Sequence, residues 1–139
     1  MELPTVSVGV AVIWNGKGDR LLISQRLPGS DFAGYWEFPG GKVLPDESIP
    51  ECIRREVWEE LGVEVSVEAP LLALTHAYSH KTVTLSVYHC RLSEGQIPEP
   101  RQCQQVCWVA LADLEQYGFP AANRAILDRL KRDAGAPCP

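Results

Sequence analysis

Residues 48–62, SIPECIRREVWEELG, leave the chain little choice of local structure. Ser48 followed three positions later by Glu51 has the form of a capping box, in which each side chain satisfies the other residue's backbone N–H. Pro50 falls in the first turn, where a missing N–H costs little, and Gly62 is a natural stop. The pattern predicts a helix over 48–61 with Ile53, Val57 and Leu61 as its apolar stripe. Glu56, Glu59 and Glu60 border that stripe at i, i+3 and i+4, within an arc of about 100°. Like charges so placed repel, and they sit in the C-terminal half, where the helix dipole disfavours anions. Two readings stand side by side. Either this is a solvated face relieved by Arg54 and Arg55, or the carboxylates are gathered for a hard cation, Mg²⁺ or Mn²⁺.

An apolar stripe needs a layer to pack on. Val6, Val8, Val10 and Val12 alternate with smaller residues, which predicts a strand through about Trp14. Asn15 to Asp19 is turn chemistry, and Arg20 to Arg26 reads as the partner strand. A Gly/Pro-rich loop from Pro28 to about Tyr35 leads into WEFPGGK. Val63–Leu74 and Thr82–Leu92 are β-rich, Ser93–Gln105 reads as a loop, and Val106–Val109 as a short strand. A last helix over about Ala121–Arg132 presents Ile126, Leu127 and Leu130, and residues 134–139 read as a frayed tail. Strands with two helices in this order predict an α/β fold, an α/β/α sandwich around a mixed sheet, with residues 1–139 as one domain.

Composition narrows the setting. No apolar run approaches the ~20 residues of a spanning helix, so no membrane association is expected. The N-terminus lacks the basic start of an export signal. Five cysteines, an odd number without a C-x-x-C, read as reduced thiols in a cytoplasmic protein. His89 and Cys90 are strand neighbours pointing to opposite faces, a poor start for a zinc site. The formal net charge is −5, which taken alone argues against a nucleic-acid scaffold, and no stable nucleic-acid complex is expected. The charge is not spread evenly. Between Asp46 and Glu60 there are six acids and two bases, while the rest of the chain holds 12 acids and 11 bases.

That window carries a motif. In GKVLPDESIPECIRREVWEELGV, the residues Gly41, Glu47, Arg55, Glu56, Val57, Glu59, Glu60, Gly62 and Val63 match every defined position of G-x5-E-x7-R-E-U-x-E-E-x-G-U, with U aliphatic. The chain thereby resembles the Nudix hydrolases. EFPGGK before the box and FPAAN at residues 119–123 resemble the MutT branch. The resemblance implies a Nudix-type sandwich and hydrolysis of a nucleoside diphosphate linked to another group, with Mg²⁺ as cofactor and Mn²⁺ as its substitute. For the MutT branch it implies conversion of nucleoside triphosphates to a monophosphate plus pyrophosphate, through water attack at the β-phosphorus. Oxidised purines, notably 8-oxo-dGTP, are the implied substrates. CTP, a dinucleoside polyphosphate, capped RNA or an idle nucleotide-binding module stand as alternatives. A monomer or weak dimer is expected. The local acidity then reads as an incomplete site, whose counterpart is a metal ion with a polyphosphate.

By position, the resemblance gives Glu59, Glu60 and the Gly40 carbonyl as metal ligands. It gives Glu56 as the base for the attacking water or as a further ligand. Arg55 orients the glutamates, and Glu47 supports the loop or the outer metal shell. Gly40 and Gly41 permit a close approach of loop and helix. The implied substrate contacts are Arg26, Phe38, Gly41, Lys42, Tyr78 and Asn123. Several keep a plain alternative: Arg26 as a surface charge, Phe38 and Tyr78 as core, Asn123 as the N-cap of the last helix. Trp36 reads as core or pocket wall. One departure from the family pattern stands out. MutT relatives often place another metal-binding Glu before the strand ending in W-V, and here Gln102, a poorer ligand for a hard cation, is the nearest aligned residue.

Overall fold

The computed structural model describes residues 3–134. Its strands are β1 (Thr5–Trp14), β2 (Arg20–Gln25), β3 (Trp36–Glu37), β4 (Gly40–Lys42), β5 (Val65–Ala77), β6 (Thr82–Leu92) and β7 (Gln105–Ala110). There are two helices, α1 (Ile49–Leu61) and α2 (Ala121–Ala134), and a 3₁₀ turn at Leu111–Gln116 precedes α2. The strands form a mixed sheet in the order β3-β2-β1-β6-β5, with β4 added to β1 and β7 to β2. Among the described residues only β1 and β6 run parallel, over the whole of β1 from Thr5↔Thr82 to Trp14↔Arg91.

Period-two alternation along β1 assigns the two faces. Val10 and Val12 join Leu21, Ile23 and Val87 in the core under α2, with Ile126, Leu127 and Leu130. Ala11 and Ile13 join Leu22 and Cys90 in the core under α1, with Ile53, Val57 and Leu61. The expected α/β/α sandwich is therefore what forms. His89 and Cys90 do fall on opposite sides: Trp14 Nε1 donates to His89 Nδ1 at 3.0 Å, while Cys90 is buried under α1.

The other edge of β1 is divided. Val8, Gly9 and Val10 pair with Lys42, Gly41 and Gly40 of β4, whereas Ile13 and Trp14 pair with Leu22 and Leu21 of β2. The chain passes from β3, which lies beside β2, to β4 at Phe38-Pro39, and the Ala11 N–H donates to the Pro39 carbonyl at 2.8 Å. Gly40 lies so close to β1 that a Cβ there would sit 2.2 Å from the Gly9 carbonyl oxygen.

Some elements differ from the sequence expectation. WEFPGGK forms two short strands, which have too few residues to show any periodicity. β5 starts at Val65 and continues to Ala77, its register shifting on either side of Pro70, where a residue without an N–H interrupts the ladder. α2 extends to Ala134, and the remainder of the expected frayed tail lies outside the described residues. α1 forms as expected. Ser48 Oγ accepts from the Glu51 N–H at 3.2 Å, Glu51 Oε1 accepts from the Ser48 N–H at 2.9 Å, and Gly62 takes the left-handed conformation at φ 67°.

Candidate active site

A cleft of about 830 Å³ opens between the β1–β4 surface, the tip of the β5–β6 hairpin, the 26–35 loop and the start of α2. Arg26, Phe38, Gly41, Lys42, Tyr78 and Asn123 all line it, together with Gly40 and Glu60. Glu47, Arg55, Glu56 and Glu59 are outside its lining. Glu56 lies against Gly41, where an added Cβ would be 2.3 Å from the Glu56 carboxyl carbon. The bare backbone of Gly41 thus lets a helix carboxylate lie directly behind the cleft wall.

Arg55 organises the acids. Its Nε donates to Glu47 Oε2 at 2.7 Å and its Nη2 to Glu47 Oε1 at 2.9 Å, a bidentate pair. Nη2 also donates to the Lys42 carbonyl at 2.9 Å, tying α1 to β4. Nη1 donates to Glu56 Oε1 at 2.8 Å and reaches Glu59 Oε2 at 3.4 Å. Glu47 accepts a further bond from the Leu44 N–H. The Arg55 guanidinium, then that N–H, hold the Glu47 carboxyl down at about 2. Glu47 and then Glu56 stabilise the charged guanidinium and push its pKa upward against the cost of burial.

Glu60 stands in the opposite condition. Burial, then the charges of Glu37 and Glu56, push its carboxyl up to about 9, opposed by a hydrogen bond from the Gly40 backbone and reinforced by Glu59. It has no salt-bridge partner among the described residues. Carboxylates that cannot all ionise unaided are a donor set that fits a hard divalent cation. Among the described residues, no three acidic, His or Cys side chains already converge on one point. Glu56 and Glu59 are drawn onto Arg55 instead, so joint ligation with Glu60 requires them to turn away from the guanidinium.

On the substrate side, Phe38 is buried and stacks on Phe119 with ring centroids 5.5 Å apart, so it is both core and cleft floor. Tyr78 packs edge-on against His76 at 4.6 Å, with Lys81 Nζ 5.9 Å from its ring. Arg26 Nη1 is paired with Glu37 Oε2 at 2.7 Å rather than free on the surface. Because α2 begins at Ala121, Asn123 lies inside the first turn, which removes its N-cap alternative, and the residue lines the cleft. Trp36 packs against Tyr117 at 5.2 Å, outside the cleft. Gln102 does line the cleft, whereas Glu99 is exposed and pairs with Arg101 at 3.8 Å. Glu37, His80 and Lys81 also line it and were missed from sequence. The signal for Glu37 was an acid directly before the FPGG run. For His80 and Lys81 it was their place beside Tyr78 in a polar hairpin tip.

A mixed-sheet sandwich thus carries an arginine-centred glutamate helix beside a cleft large enough for a nucleotide. A family model described as the NUDIX domain matches residues 9–129, and the chain belongs to the Nudix family. It is 34% identical over 132 residues to an 8-oxo-dGTP diphosphatase of Haemophilus influenzae, covering 94% of each chain. It is 33% identical over 109 residues to the CTP pyrophosphohydrolase of Escherichia coli, covering 78% of this chain and 80% of that one. The crystal structure of a MutT protein from Methanosarcina mazei matches it with a TM-score of 0.84 at 30% identity, over 98% of this chain and 99% of that one. The chain is a MutT-like Nudix hydrolase. Nudix hydrolases generally use divalent metals. Among the described residues no helix is long and apolar enough to cross a membrane.

Proposed function

We propose that this chain is a Mg²⁺-dependent nucleoside triphosphate pyrophosphohydrolase that cleaves oxidised purine nucleotides such as 8-oxo-dGTP to the monophosphate plus pyrophosphate. The observation that carries the substrate reading is Asn123. It stands in the first turn of α2 and lines a cleft that also holds Tyr78, Phe38 and Glu60. An amide offers both a donor and an acceptor, as reading a base edge requires. The 8-oxo-dGTP diphosphatase relative, aligned over 94% of both chains, supports the same reading. The proposed setting is the cytoplasmic nucleotide pool, with the chain acting as one domain and as a monomer or weak dimer.

In this reading Glu59, Glu60 and the Gly40 carbonyl would hold the cation, Glu59 leaving its 3.4 Å contact with Arg55 to do so, while Glu56 stays on Arg55 as the base. Once bound, it supplies Lewis-acid polarisation of the phosphoryl oxygens and acidifies a water. Glu56 Oε1 is engaged by Arg55 at 2.8 Å, which leaves Oε2 to accept the proton of the attacking water. Arg55, itself locked by Glu47, keeps that carboxylate in place. Lys42 and Arg26 offer cationic contacts to the polyphosphate. Arg26 then exchanges its Glu37 pairing for substrate.

The test is hydrolysis of a panel of 8-oxo-dGTP, dGTP, CTP and a dinucleoside tetraphosphate with Mg²⁺, with products identified by chromatography. The expected result is a kcat/KM for 8-oxo-dGTP at least about tenfold above that for dGTP, reduced by Asn123→Ala. Equal rates on the two purines overturn the substrate reading. A second reading, CTP hydrolysis, is favoured by the Escherichia coli relative, and CTP as the best substrate would establish it.

A further inference from the structure

The last turn of α1 carries Glu59 and Glu60 and ends on carbonyl groups that the helix itself leaves unpaired. The loop before β7 supplies their partners. The Glu99 N–H donates to the Leu61 carbonyl at 2.9 Å, and the N–H groups of Arg101 and Gln102 donate to the Glu60 carbonyl at 2.9 and 3.3 Å. The Arg101 side chain, although 47% exposed, lies on this junction with its guanidinium carbon 5.6 Å from the centroid of the Trp58 ring. Trp58 is itself 50% exposed, so this face of the indole is presented to the loop rather than to the core. The guanidinium also fills the hollow at Gly62, where an added Cβ would be 2.5 Å from Arg101 Cζ and Nε. Gly62 therefore does more than adopt a left-handed conformation: its missing side chain is the seat of Arg101. A cation at this place also opposes the negative end of the helix dipole. The residue that follows, Gln102, stands in the cleft with Glu60.

We propose that Arg101 is a positioning residue, which clamps the loop before β7 onto the end of α1 through Trp58 and Gly62, and so fixes Glu60 and Gln102 relative to the cation and nucleotide. The inference rests on the Nudix hydrolase reading of the cleft, but not on which nucleotide is cleaved.

Arg101→Ala, Arg101→Lys, Trp58→Ala and the double variant Arg101→Ala/Trp58→Ala test it against the unmodified protein. Mn²⁺ affinity is read by electron paramagnetic resonance, and backbone hydrogen exchange at Glu99, Arg101 and Gln102 by NMR. Far-UV circular dichroism records the fold. Arg101→Ala is expected to weaken Mn²⁺ binding about threefold, the scale of an exposed cation–π contact, and to speed exchange at those amides. Trp58→Ala should do the same, and the double variant should add little. Arg101→Lys, which keeps the charge but not the planar fork, should restore part of the loss. It carries the same measurements should Arg101→Ala fail to fold. Unchanged exchange with unchanged Mn²⁺ affinity overturns the proposal, as do fully additive effects, which would mean that Arg101 acts without Trp58. None of these readouts uses turnover, so a wrong substrate assignment leaves them independent.

Discussion

The two helices cover opposite faces of one sheet and are nearly equal in length, yet their charges are arranged on opposite principles. α2 follows local electrostatics. Lys131 and Arg132 occupy its last turn, Arg129 pairs with Asp133 one turn away at 3.1 Å, and Arg124 and Lys131 converge on Glu115. α1 violates them. Its last turn has no base, two glutamates stand where the dipole repels them, and one guanidinium answers for three acids. Where a sequence departs from its own local preferences within an element, function is the usual cause. The lesson is that the sandwich holds both helices by their apolar stripes, which leaves the polar face of α1 free to be unfavourable.

The largest expected difference between the two helices is catalytic. Glu56→Gln should lower kcat by about 10² to 10⁴ if Glu56 is the base, while Glu115→Gln on the α2 side stays within about twofold. Steady-state hydrolysis of 8-oxo-dGTP measures both, and an unaffected Glu56→Gln enzyme would remove Glu56 from that role.

Next comes pH. The Glu60 carboxyl titrates near 9 in the metal-free fold against an ordinary value of 4.5, so between these values the native state holds the extra proton. Stability of the metal-free protein from this group therefore falls as pH rises across that window. Cation binding expels the proton, so Mn²⁺ affinity should rise by about tenfold per pH unit toward 9. Calorimetry in buffers of different ionisation enthalpy would detect the released proton. Glu115 is the contrast: Arg124 and Lys131 hold it near 2, so it stays ionised throughout this range.

Smaller effects compare the helices as structure. Ser48→Ala removes an observed cap and should cost about 1 kcal/mol by urea denaturation. Arg129→Ala removes only an exposed pair on α2 and should cost no more than about 0.5 kcal/mol in the same assay. A larger loss from Arg129 than from Ser48 would break the contrast.

Much of α1 was readable because its determinants are local: the Ser48–Glu51 box, Gly62 and the spacing of the glutamates all lie within one stretch. The alternation of β1 likewise announced two buried faces. What could not be read depends on partners distant in sequence. β3 and β4 exist because β2 offers a place to one and β1 to the other, and no pattern within two or three residues encodes that. Asn123 was ambiguous because one turn of helix boundary decides between cap and cleft. The roles of Arg26 and Arg101 depend on Glu37 and Trp58, contacts between elements with no signature of their own. The carboxylates of α1 were visible as a cluster, but their attachment to Arg55 and the isolation of Glu60 required three dimensions.

The parting of the β1 edge at Ala11 makes the cleft modular. β4, pinned to Gly9, ties the helix of glutamates to the sheet, whereas the 26–35 loop hangs from β2 and β3 on the other side of the gap. Insertions or exchanges in that loop can reshape one wall of the cleft without moving the strand that seats Glu56. Such a layout separates the wall that meets what enters the cleft from the strand and helix that hold the glutamates.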